Sequence, residues 1–336
     1  MEFEICYVPH EPHGWIPPAP TAASYRALLP IGITGVRLQY NFDDPRWWGA
    51  ALREAVQGGM RITGNFVANL TEPSHDIEEN AFEWMEFYGP QMARVSFGNE
   101  PGYTVGHDGM RDYVMNYFVP FARGVRRANP AAVIGGCDAE SQDTQQIFIE
   151  EANELLLSDA GVDICDLEFV HSYGRPMGGG DYATREEFER VYRLGAKPLR
   201  DQYYSEIDIQ NLPEAMQRMQ DATAAALASG ATPRQANDAG GAARGLATDS
   251  ELQILLDWTR STHTDFPNVK GIAYGDPAYF FTRVPNGTGS DTWSSWTYGK
   301  DGPVVSDFGR KFQALFAEIN GPAPQQGTGR QPGRRS

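Results

Sequence analysis

Two glutamates each stand at the end of a short run of residues that has the composition of a β-strand. Glu100 lies in Ser-Phe-Gly-Asn-Glu-Pro (96–101), and Glu206 lies in Tyr-Tyr-Ser-Glu-Ile-Asp (203–208). Two carboxylic acids at the ends of parallel strands suit the cleavage of a glycosidic bond. One must stay protonated to donate to the leaving oxygen, and the other must be ionised to attack or to activate water. The pair therefore predicts a hydrolytic site with Glu100 and Glu206 as its catalytic residues.

Eight short apolar segments recur along the chain and predict eight strands. Their ranges are 3–8, 35–39, 62–67, 93–97, 133–137, 167–173, 202–207 and 271–275. Amphipathic stretches that predict helices lie between or after them, at 47–57, 77–88, 109–128, 144–157, 184–194, 212–228, 251–263 and 307–319. Alternating strands and helices indicate parallel pairing with right-handed crossovers. Eight such units predict a single-domain α/β fold, the (β/α)8 TIM barrel.

The barrel is expected to occupy residues 1–320. Residues 321–336 are rich in Gly, Pro, Gln and Arg without apolar periodicity, which predicts a disordered C-terminal tail. A doubly wound open sheet is the competing fold, but it would normally place a Gly-rich turn after the first strand, where this chain has Pro-His-Glu-Pro-His-Gly (9–14). The segment 229–250 is compatible with either a long loop or a helix broken by glycines.

Composition narrows the classes of partner. The chain has 336 residues, 41% of them hydrophobic and 21% charged, as in an ordinary globular protein. A net charge of −16 argues against nucleic acid, because phosphate binding needs clustered Lys and Arg. The sequence also predicts no membrane span, since it has no apolar stretch of about 18 residues. The N-terminal Met1–Val8 has no basic region and is interpreted as the first strand, which predicts a cytoplasmic protein or one released without a signal peptide.

Polar and charged residues cluster at the C-terminal ends of five predicted strands, which is the end of a barrel where active sites lie. Side chains alternate along a strand, so residues two apart share a face. The sets that share a face are Gly35, Arg37 and Gln39; Ser96, Gly98 and Glu100; Phe169, His171 and Tyr173; Tyr204, Glu206 and Asp208; and Ile272, Tyr274 and Asp276. By contrast, Cys6, Cys137 and Cys165 lie in apolar settings and are expected to be buried free thiols.

This pattern resembles the clan A glycoside hydrolases, a (β/α)8 superfamily with its acid/base on strand four and its nucleophile on strand seven. The family's Asn-Glu-Pro motif matches Asn99-Glu100-Pro101. The resemblance implies that Glu100 is the acid/base, that Asn99 binds the sugar 2-hydroxyl and that Glu206 is the nucleophile. It also implies a retaining mechanism without metal or organic cofactor, acting on an equatorial β-linkage or an arabinofuranoside in a carbohydrate substrate.

Further motifs extend the resemblance over about residues 3–318. The family's strand-two arginine matches Arg37, which would hold the nucleophile ionised, and its His-x-Tyr of strand six matches His171 and Tyr173. The segment Tyr-Gly-Lys-Asp-Gly-Pro (298–303) resembles the family's closing loop.

Two positions depart from the family pattern. The chain has Asn65 and Asn69 where a histidine often follows strand three. It also has Tyr274, with Asp276 beyond, where the family carries a tryptophan at the end of strand eight. Because sugars stack on aromatic rings, a substitute platform is expected from Trp293 or Trp296. The expected substrate-binding residues are Arg37, Asn99, His171, Tyr173, Tyr274, Asp276, Trp293 and Trp296.

Two alternatives stay open. One is a metal-dependent barrel hydrolase that uses His10, His13, His171 and Asp276, although the usual spacing of the first two ligands is absent. The other is a catalytically silent barrel that only binds carbohydrate. Metal analysis would identify the first, and failure to hydrolyse any aryl glycoside would indicate the second. Individually, Arg37 could be a structural ion pair and His171 a core histidine; even so, Arg37 would need a carboxylate, and Glu206 is the natural partner.

Overall fold

The computed structural model describes most of the chain. The described residues are 1–9, 20–42, 44–68, 70, 76–139, 147–148, 164–172, 201–207, 209, 212–244, 247–275, 280 and 305–321. The predicted tail beyond Gly321 and the predicted helix 184–194 lie outside these residues, as does nearly all of the predicted helix 144–157.

Seven parallel strands form one sheet in the order β4-β3-β2-β1-β7-β6-β5. The strands are β1 Glu2–Tyr7, β2 Gly35–Asn41, β3 Arg61–Val67, β4 Met92–Phe97, β5 Leu167–Ser172, β6 Asp201–Ile207 and β7 Val269–Tyr274. All seven coincide, within a few residues at the ends, with apolar runs of the sequence.

Residues 133–139, here called the bridging segment, close this sheet between β4 and β5. The Gly135 N–H donates to the Val95 carbonyl of β4 at 2.7 Å, and the Gly136 N–H donates to the Leu167 carbonyl of β5 at 2.9 Å. Single-residue bridges join Val95 to Ile134 and Gly135 to Leu167. The bridging segment takes the place of the fifth predicted strand, so the ring has eight positions and the predicted (β/α)8 barrel is confirmed.

Helices cover the outside of this ring. They are α1 Ala22–Leu28, α2 Trp48–Gln57, α3 Ile77–Tyr88, α4 Pro101–Val105, α5 Met110–Tyr113, α6 Val119–Ala128, α7 Pro213–Ala228, α8 Pro233–Arg244, α9 Asp249–Asp265 and α10 Asp307–Asn320. A π-helical turn, Val114–Phe118, joins α5 to α6, and short 3₁₀ turns occur at Leu29–Ile31, Pro45–Trp47 and Gly89–Gln91. Among the described helices, none has both the length and the apolar composition needed to cross a membrane.

Local sequence explains where several helices begin. Thr21 and Thr248 each form a capping box at the start of α1 and α9, and the side chains of Asp76 and Ser306 cap α3 and α10. Such caps satisfy backbone N–H groups that lack a partner within the helix.

The segment 229–250, which the sequence left open, contains helix α8. Its glycines allow close packing: a Cβ on Gly240 would lie only 2.1 Å from the Thr223 hydroxyl of α7. The glycines therefore bring α7 and α8 together, and they do not break the helix.

The main hydrophobic core lies between the strands and the helices. Its members include Ile5, Val36, Ile62 and Val95 from the strands and Trp48, Trp84, Phe121 and Phe312 from the helices. A smaller cluster, consisting of Cys6, Phe169, Tyr203 and Ala273, is formed by strand residues alone and lies inside the barrel. The three cysteines are buried thiols outside any disulfide, as expected.

Near the N-terminal ends of the strands, a charged network fills the barrel interior. The fully buried Glu4 accepts hydrogen bonds from the Thr63 hydroxyl at 2.9 Å and from Arg94 Nη1 at 3.3 Å. The Arg94 guanidinium also pairs with Glu2 and lies 4.4 Å from the centre of the Tyr203 ring. Burial raises the pKa of Glu4, and Arg94 opposes that effect. The network closes the lower end of the barrel with paired charges.

We expect Arg94→Met to destabilise the fold by about 3 kcal/mol, because removing one member of a buried ion pair leaves the other without compensation. Urea denaturation would measure the free energy of unfolding. Arg310→Met is the matched control, since the Arg310 side chain is 60% exposed in its pair with Asp307, and it should cost less than about 1 kcal/mol. Equal effects of the two substitutions would contradict a structural role for the buried network.

Candidate active site

The backbone bends sharply where β4 and the bridging segment reach the barrel mouth. Gly98 has φ +88°, and a Cβ there would lie 2.4 Å from the Tyr113 hydroxyl, so only glycine fits. Glu100 (φ +52°) and Asp138 (φ +53°) are the non-glycine residues with positive φ among those described. The Glu100 N–H donates to the Asp138 carbonyl at 3.0 Å, which ties the two bends together. Such left-handed conformations are uncommon outside glycine and cluster at functional sites.

The imidazole of His171 lies between the two glutamates predicted to be catalytic. Its Nδ1 is 2.9 Å from Glu100 Oε1, and its Nε2 is 3.9 Å from Glu206 Oε2. Nε2 is also 3.6 Å from Asp138 Oδ1. The carboxyl groups of Glu100 and Glu206 therefore lie at the two ring nitrogens of one imidazole. This is expected of residues near the C-terminal ends of strands in one barrel.

Arg37 is the second cation of the site. Its Nη1 lies 3.6 Å from Glu206 Oε2, an ion-pair distance somewhat longer than a hydrogen bond. Its Nη2 donates to Asn99 Oδ1 at 3.0 Å and lies 3.4 Å from Asp138 Oδ1. Arg37 thus connects the glutamate on β6 with the asparagine that precedes Glu100.

Asp138 lies beneath these groups and is fully buried. Its Oδ2 accepts hydrogen bonds from the Ser96 hydroxyl at 2.7 Å and from Asn65 Nδ2 at 2.9 Å. The Asn65 amide also donates to the Gly98 carbonyl at 2.6 Å, where the chain turns towards Glu100. One buried carboxylate therefore organises β3, β4 and the bridging segment below the mouth.

The electrostatics of the cluster favour charged forms. Burial opposes a charge on His171, but Glu206, Asp138 and Glu100 outweigh it and raise the pKa of His171 to about 9. Burial likewise opposes a charge on Asp138, yet Arg37 and His171 hold the pKa of Asp138 below its ordinary value. At neutral pH the buried layer consists of two cations and one carboxylate.

Exposure separates this buried layer from the groups that face the mouth. The side chains of Glu100 and Glu206 are 21% and 23% exposed, whereas those of Arg37, Asp138 and His171 are at most 2% exposed. The two glutamates are therefore the charged members of the cluster that an incoming molecule can reach, and the uncharged Asn99 is also partly exposed.

The structure brings together five of the predicted site residues and places a sixth elsewhere. Glu100, Glu206, Arg37, Asn99 and His171 form the cluster described above. Tyr274 does not join it: its ring is fully buried against aromatic side chains of the outer core, and its hydroxyl is 2.7 Å from that of Thr259 on α9. The expectation that Tyr274 contacts substrate is therefore corrected. Residues 272 and 274 share a face, as predicted, but it is the face turned towards the helices.

The alternation expected around Glu206 also needs correction. Tyr204 lies in the outer core, and the pairing between β6 and β7 shifts register between Tyr204 and Ile207. The shift turns Glu206 towards Arg37 although Tyr204 faces outward.

The remaining predictions fall outside the described residues. This applies to Tyr173, Asp276, Trp293 and Trp296, and to the possible metal ligands His10 and His13. In the part of the chain that the structure describes, no group of three His, Cys, Asp or Glu side chains is arranged to hold a metal ion.

Sequence reasoning missed the organising role of Asp138 and its partners Asn65 and Ser96. The sequence feature that points to Asp138 is the same one that identified the two glutamates: a charged residue directly after an apolar run. The run Val133–Cys137 contains two glycines, which made it a weak strand.

Comparison with known proteins is informative at the level of the fold. No protein-family model and no curated protein matches the chain. Similar solved structures include a glucosidase from Croceicoccus marinus, with 13% identity and a TM-score of 0.55 over 88% of this chain. A GH5-4 broad specificity endoglucanase from Ruminococcus champanellensis with bound cellotriose has 12% identity and a TM-score of 0.51, covering 90% of this chain and 87% of the endoglucanase. A GH10 endoxylanase retrieved from a sugarcane soil metagenome has 10% identity and a TM-score of 0.51, covering 94% and 97%.

All three similar structures are glycoside hydrolases, and the likeness shows that this chain has the TIM-barrel fold found among them. The chain spans 63% of the length of the glucosidase. At these identities the likeness shows the fold.

The raised pKa of His171 predicts a pH-dependent contribution to stability. The folded-state pKa of about 9 lies above the ordinary value of 6.5, so the stabilisation is fully present below about pH 6.5 and is lost as the pH rises towards 9. The difference in free energy of unfolding between the wild type and His171→Gln should therefore shrink over this range in urea denaturation. His263→Gln, on an exposed position of α9, is the control and should follow the wild type. A difference that stays constant would contradict a charged His171.

Proposed function

We propose that this protein is a retaining glycoside hydrolase that cleaves a β-type glycosidic bond, with Glu206 as nucleophile and Glu100 as acid/base. The observation that carries the proposal is the placement of both carboxyls at the barrel mouth, on opposite sides of one imidazole and in different electrostatic settings. Glu206 lies beside Arg37, whereas Glu100 ends the turn that follows β4. Two carboxyls with different partners are the arrangement that acid and nucleophile roles require.

The two roles follow from these partners. Glu206, whose carboxylate lies beside Arg37, attacks the anomeric carbon while Glu100 donates its proton to the leaving oxygen. The product of this step is a glycosyl-enzyme ester on Glu206. The ionised Glu100 then takes a proton from water, the water oxygen attacks the anomeric carbon, and the ester bond to Glu206 breaks. Both glutamates return to their starting protonation states, and no cofactor takes part.

Asn99 is suited to bind the sugar. Arg37 donates to its side-chain carbonyl oxygen, which makes the amide NH2 the group that can reach a substrate hydroxyl. We assign this group to the sugar 2-hydroxyl next to the reacting carbon, as the resemblance to clan A implies. Tyr173, Asp276, Trp293 and Trp296 stay candidates for the remaining sugar contacts.

The similar solved structures support a carbohydrate substrate. They are a glucosidase, an endoglucanase with bound cellotriose and an endoxylanase. A screen of aryl β-glycosides, aryl arabinofuranosides and β-linked polysaccharides would identify the sugar and distinguish endo from exo attack. Activity that disappears with a chelator and returns with a divalent metal would instead favour the metal-dependent hydrolase.

We expect Glu206→Ala to lose turnover and to regain it with azide, which occupies the space of the lost carboxylate and gives an α-glycosyl azide. Glu100→Ala should still form the glycosyl-enzyme from activated aryl glycosides, because a good leaving group needs no acid, and the intermediate should accumulate. Mass spectrometry of the protein and NMR of the azide product would measure both effects.

Glu86→Ala is the control for these variants, since Glu86 is exposed on α3, away from the mouth, and it should hydrolyse substrate like the wild type. Wild-type activity in both the Glu206 and Glu100 variants would reject the proposed roles. If azide restores activity to Glu100→Ala with a β-glycosyl azide as product, but does not restore it to Glu206→Ala, the result would support the acid/base role of Glu100 and leave the role of Glu206 unsupported.

A retaining pair also makes a geometric prediction. In a crystal structure with a bound inhibitor, the two carboxyl groups should lie about 5–5.5 Å apart, and the first-formed sugar should keep the anomeric configuration of the substrate. NMR during hydrolysis would reveal the configuration. An inverted first product, or carboxyls more than about 9 Å apart, would exclude the retaining mechanism.

A further inference from the structure

Asp138 contacts both cations of the site with a single oxygen. Oδ1 lies 3.4 Å from Arg37 Nη2 and 3.6 Å from His171 Nε2. The other oxygen, Oδ2, is fixed by the Ser96 hydroxyl and the Asn65 amide. The carboxylate is therefore oriented from below so that Oδ1 faces the charged layer.

Placing a carboxylate here is costly. A fully buried charge must be compensated by partners with good geometry, and an apolar side chain of similar volume would usually fill such a position at lower cost. Asp138 also holds a left-handed backbone conformation, which adds strain in a residue that is not glycine. Two unfavourable features at one residue, in contact with the proposed catalytic machinery, suggest a role beyond packing.

The charges of the cluster show what that role is. Arg37 and His171 carry two positive charges, and Asp138 with Glu206 carries two negative charges. The cluster is then neutral when Glu100 is protonated, which is the state that an acid catalyst needs. Without Asp138, one positive charge is left over, and the network can restore neutrality by releasing a proton from either His171 or Glu100.

Either release impairs the acid. If Glu100 gives up the proton, no donor is left for the leaving group. If His171 gives it up and keeps its remaining N–H on Nε2, facing Glu206, then Nδ1 becomes an acceptor 2.9 Å from Glu100 Oε1. The Glu100 proton is then drawn to the imidazole and away from the substrate. The ring leaves the Glu100 proton on its other oxygen when it donates to Glu100 from Nδ1. Because Asp138 and Glu206 both face Nε2 and favour a proton there, the ring also donates from Nδ1 only when it is doubly protonated.

We therefore propose that Asp138 is a positioning residue that keeps His171 doubly protonated, so that Glu100 offers its proton to the leaving group and not to His171. The inference rests on the proposed function for its catalytic consequence, but the Asp138–His171 pairing can be tested without it. Among the described residues, the charged or titratable groups that face His171 and Asp138 include Arg37 of β2, Glu206 of β6, Glu100 after β4 and the Cys6 thiol of β1.

The test compares Asp138→Asn with the wild type on two aryl glycosides of the sugar identified by the screen. Asp138→Asn should lose on the order of 100-fold in kcat/KM on a phenyl glycoside, which needs acid help, and less than about tenfold on a dinitrophenyl glycoside. The basic limb of its pH profile on the phenyl glycoside should move down by at least about one pH unit. Equal losses on both substrates with an unmoved pH profile would overturn the proposal, because a merely structural role predicts that result.

Ser96→Ala separates charge from packing. It removes one hydrogen bond to Asp138 and keeps the carboxylate. The ratio of kcat/KM on the phenyl glycoside to kcat/KM on the dinitrophenyl glycoside should therefore stay near that of the wild type. If Ser96→Ala changed this ratio as much as Asp138→Asn does, the effect would come from the orientation of this part of the barrel and not from the charge of Asp138.

A measurement independent of activity uses the full-length wild type with 15N-labelled histidine, with the His171 signals assigned from His171→Gln. NMR should find both ring nitrogens of His171 protonated at neutral pH. Asp138→Asn should lower either the pH midpoint at which His171 loses a proton or the pH midpoint of the basic limb of the activity profile. A neutral His171 in the wild type would overturn the proposal even if Asp138→Asn failed to fold. A wild type that hydrolyses no glycoside would reject the proposed function instead, and the NMR result would still decide the Asp138–His171 pairing.

Discussion

The arrangement at the barrel mouth depends on the pairing of buried cations with carboxylates. Arg37 and His171 are almost fully buried, and charges that leave water must be compensated within a few ångströms. Asp138 meets this requirement from below, and the two glutamates meet it from the side of the mouth. This single constraint connects β2, β4, the bridging segment, β5 and β6. The position of Glu206 is therefore set by β6, and that of Glu100, in the turn after β4, is set by its contacts with His171 and with the Asp138 backbone.

The two ends of the barrel use buried charge differently. At the lower end, Glu4 and Arg94 form a network that is closed by side chains from the strands and by the Tyr203 ring. At the mouth, the described residues that cover the corresponding layer are Glu100 and Glu206, whose carboxyls are about one-fifth exposed. Both networks satisfy buried charges, and each has a partly exposed carboxylate, Glu2 in the lower one. The position at the C-terminal ends of the strands, more than exposure or the presence of charge, identifies the functional end.

Much of the fold and half of the site follow from the sequence. The eight positions of the barrel were predictable because each apolar run is bounded by polar residues. Glu100 and Glu206 were predictable as charges that end such runs, whereas Arg37 and His171 were expected from the resemblance to clan A. Alternation shows which residues share a face but not which face it is, so Tyr274 was misassigned. The register shift in β6 depends on its pairing with β7, which no local pattern records. Asp138 follows the fifth predicted strand directly, but its role depends on contacts with residues of other strands, which no local pattern records.

The hydrogen bond from the Glu100 backbone to the Asp138 carbonyl links the proposed acid to the residue that balances its surroundings. Both residues adopt left-handed backbone conformations, so each bend supports the other across neighbouring positions of the ring. Moving Glu100 would disturb the backbone of Asp138, and with it the contacts that Asp138 makes with Arg37 and His171. The geometry of the acid and the charge of the layer beneath it are thus coupled through one backbone contact. A site built in this way tolerates little independent change at either residue, because a shift of the Glu100 backbone would also move Asp138 and its contacts with the two buried cations.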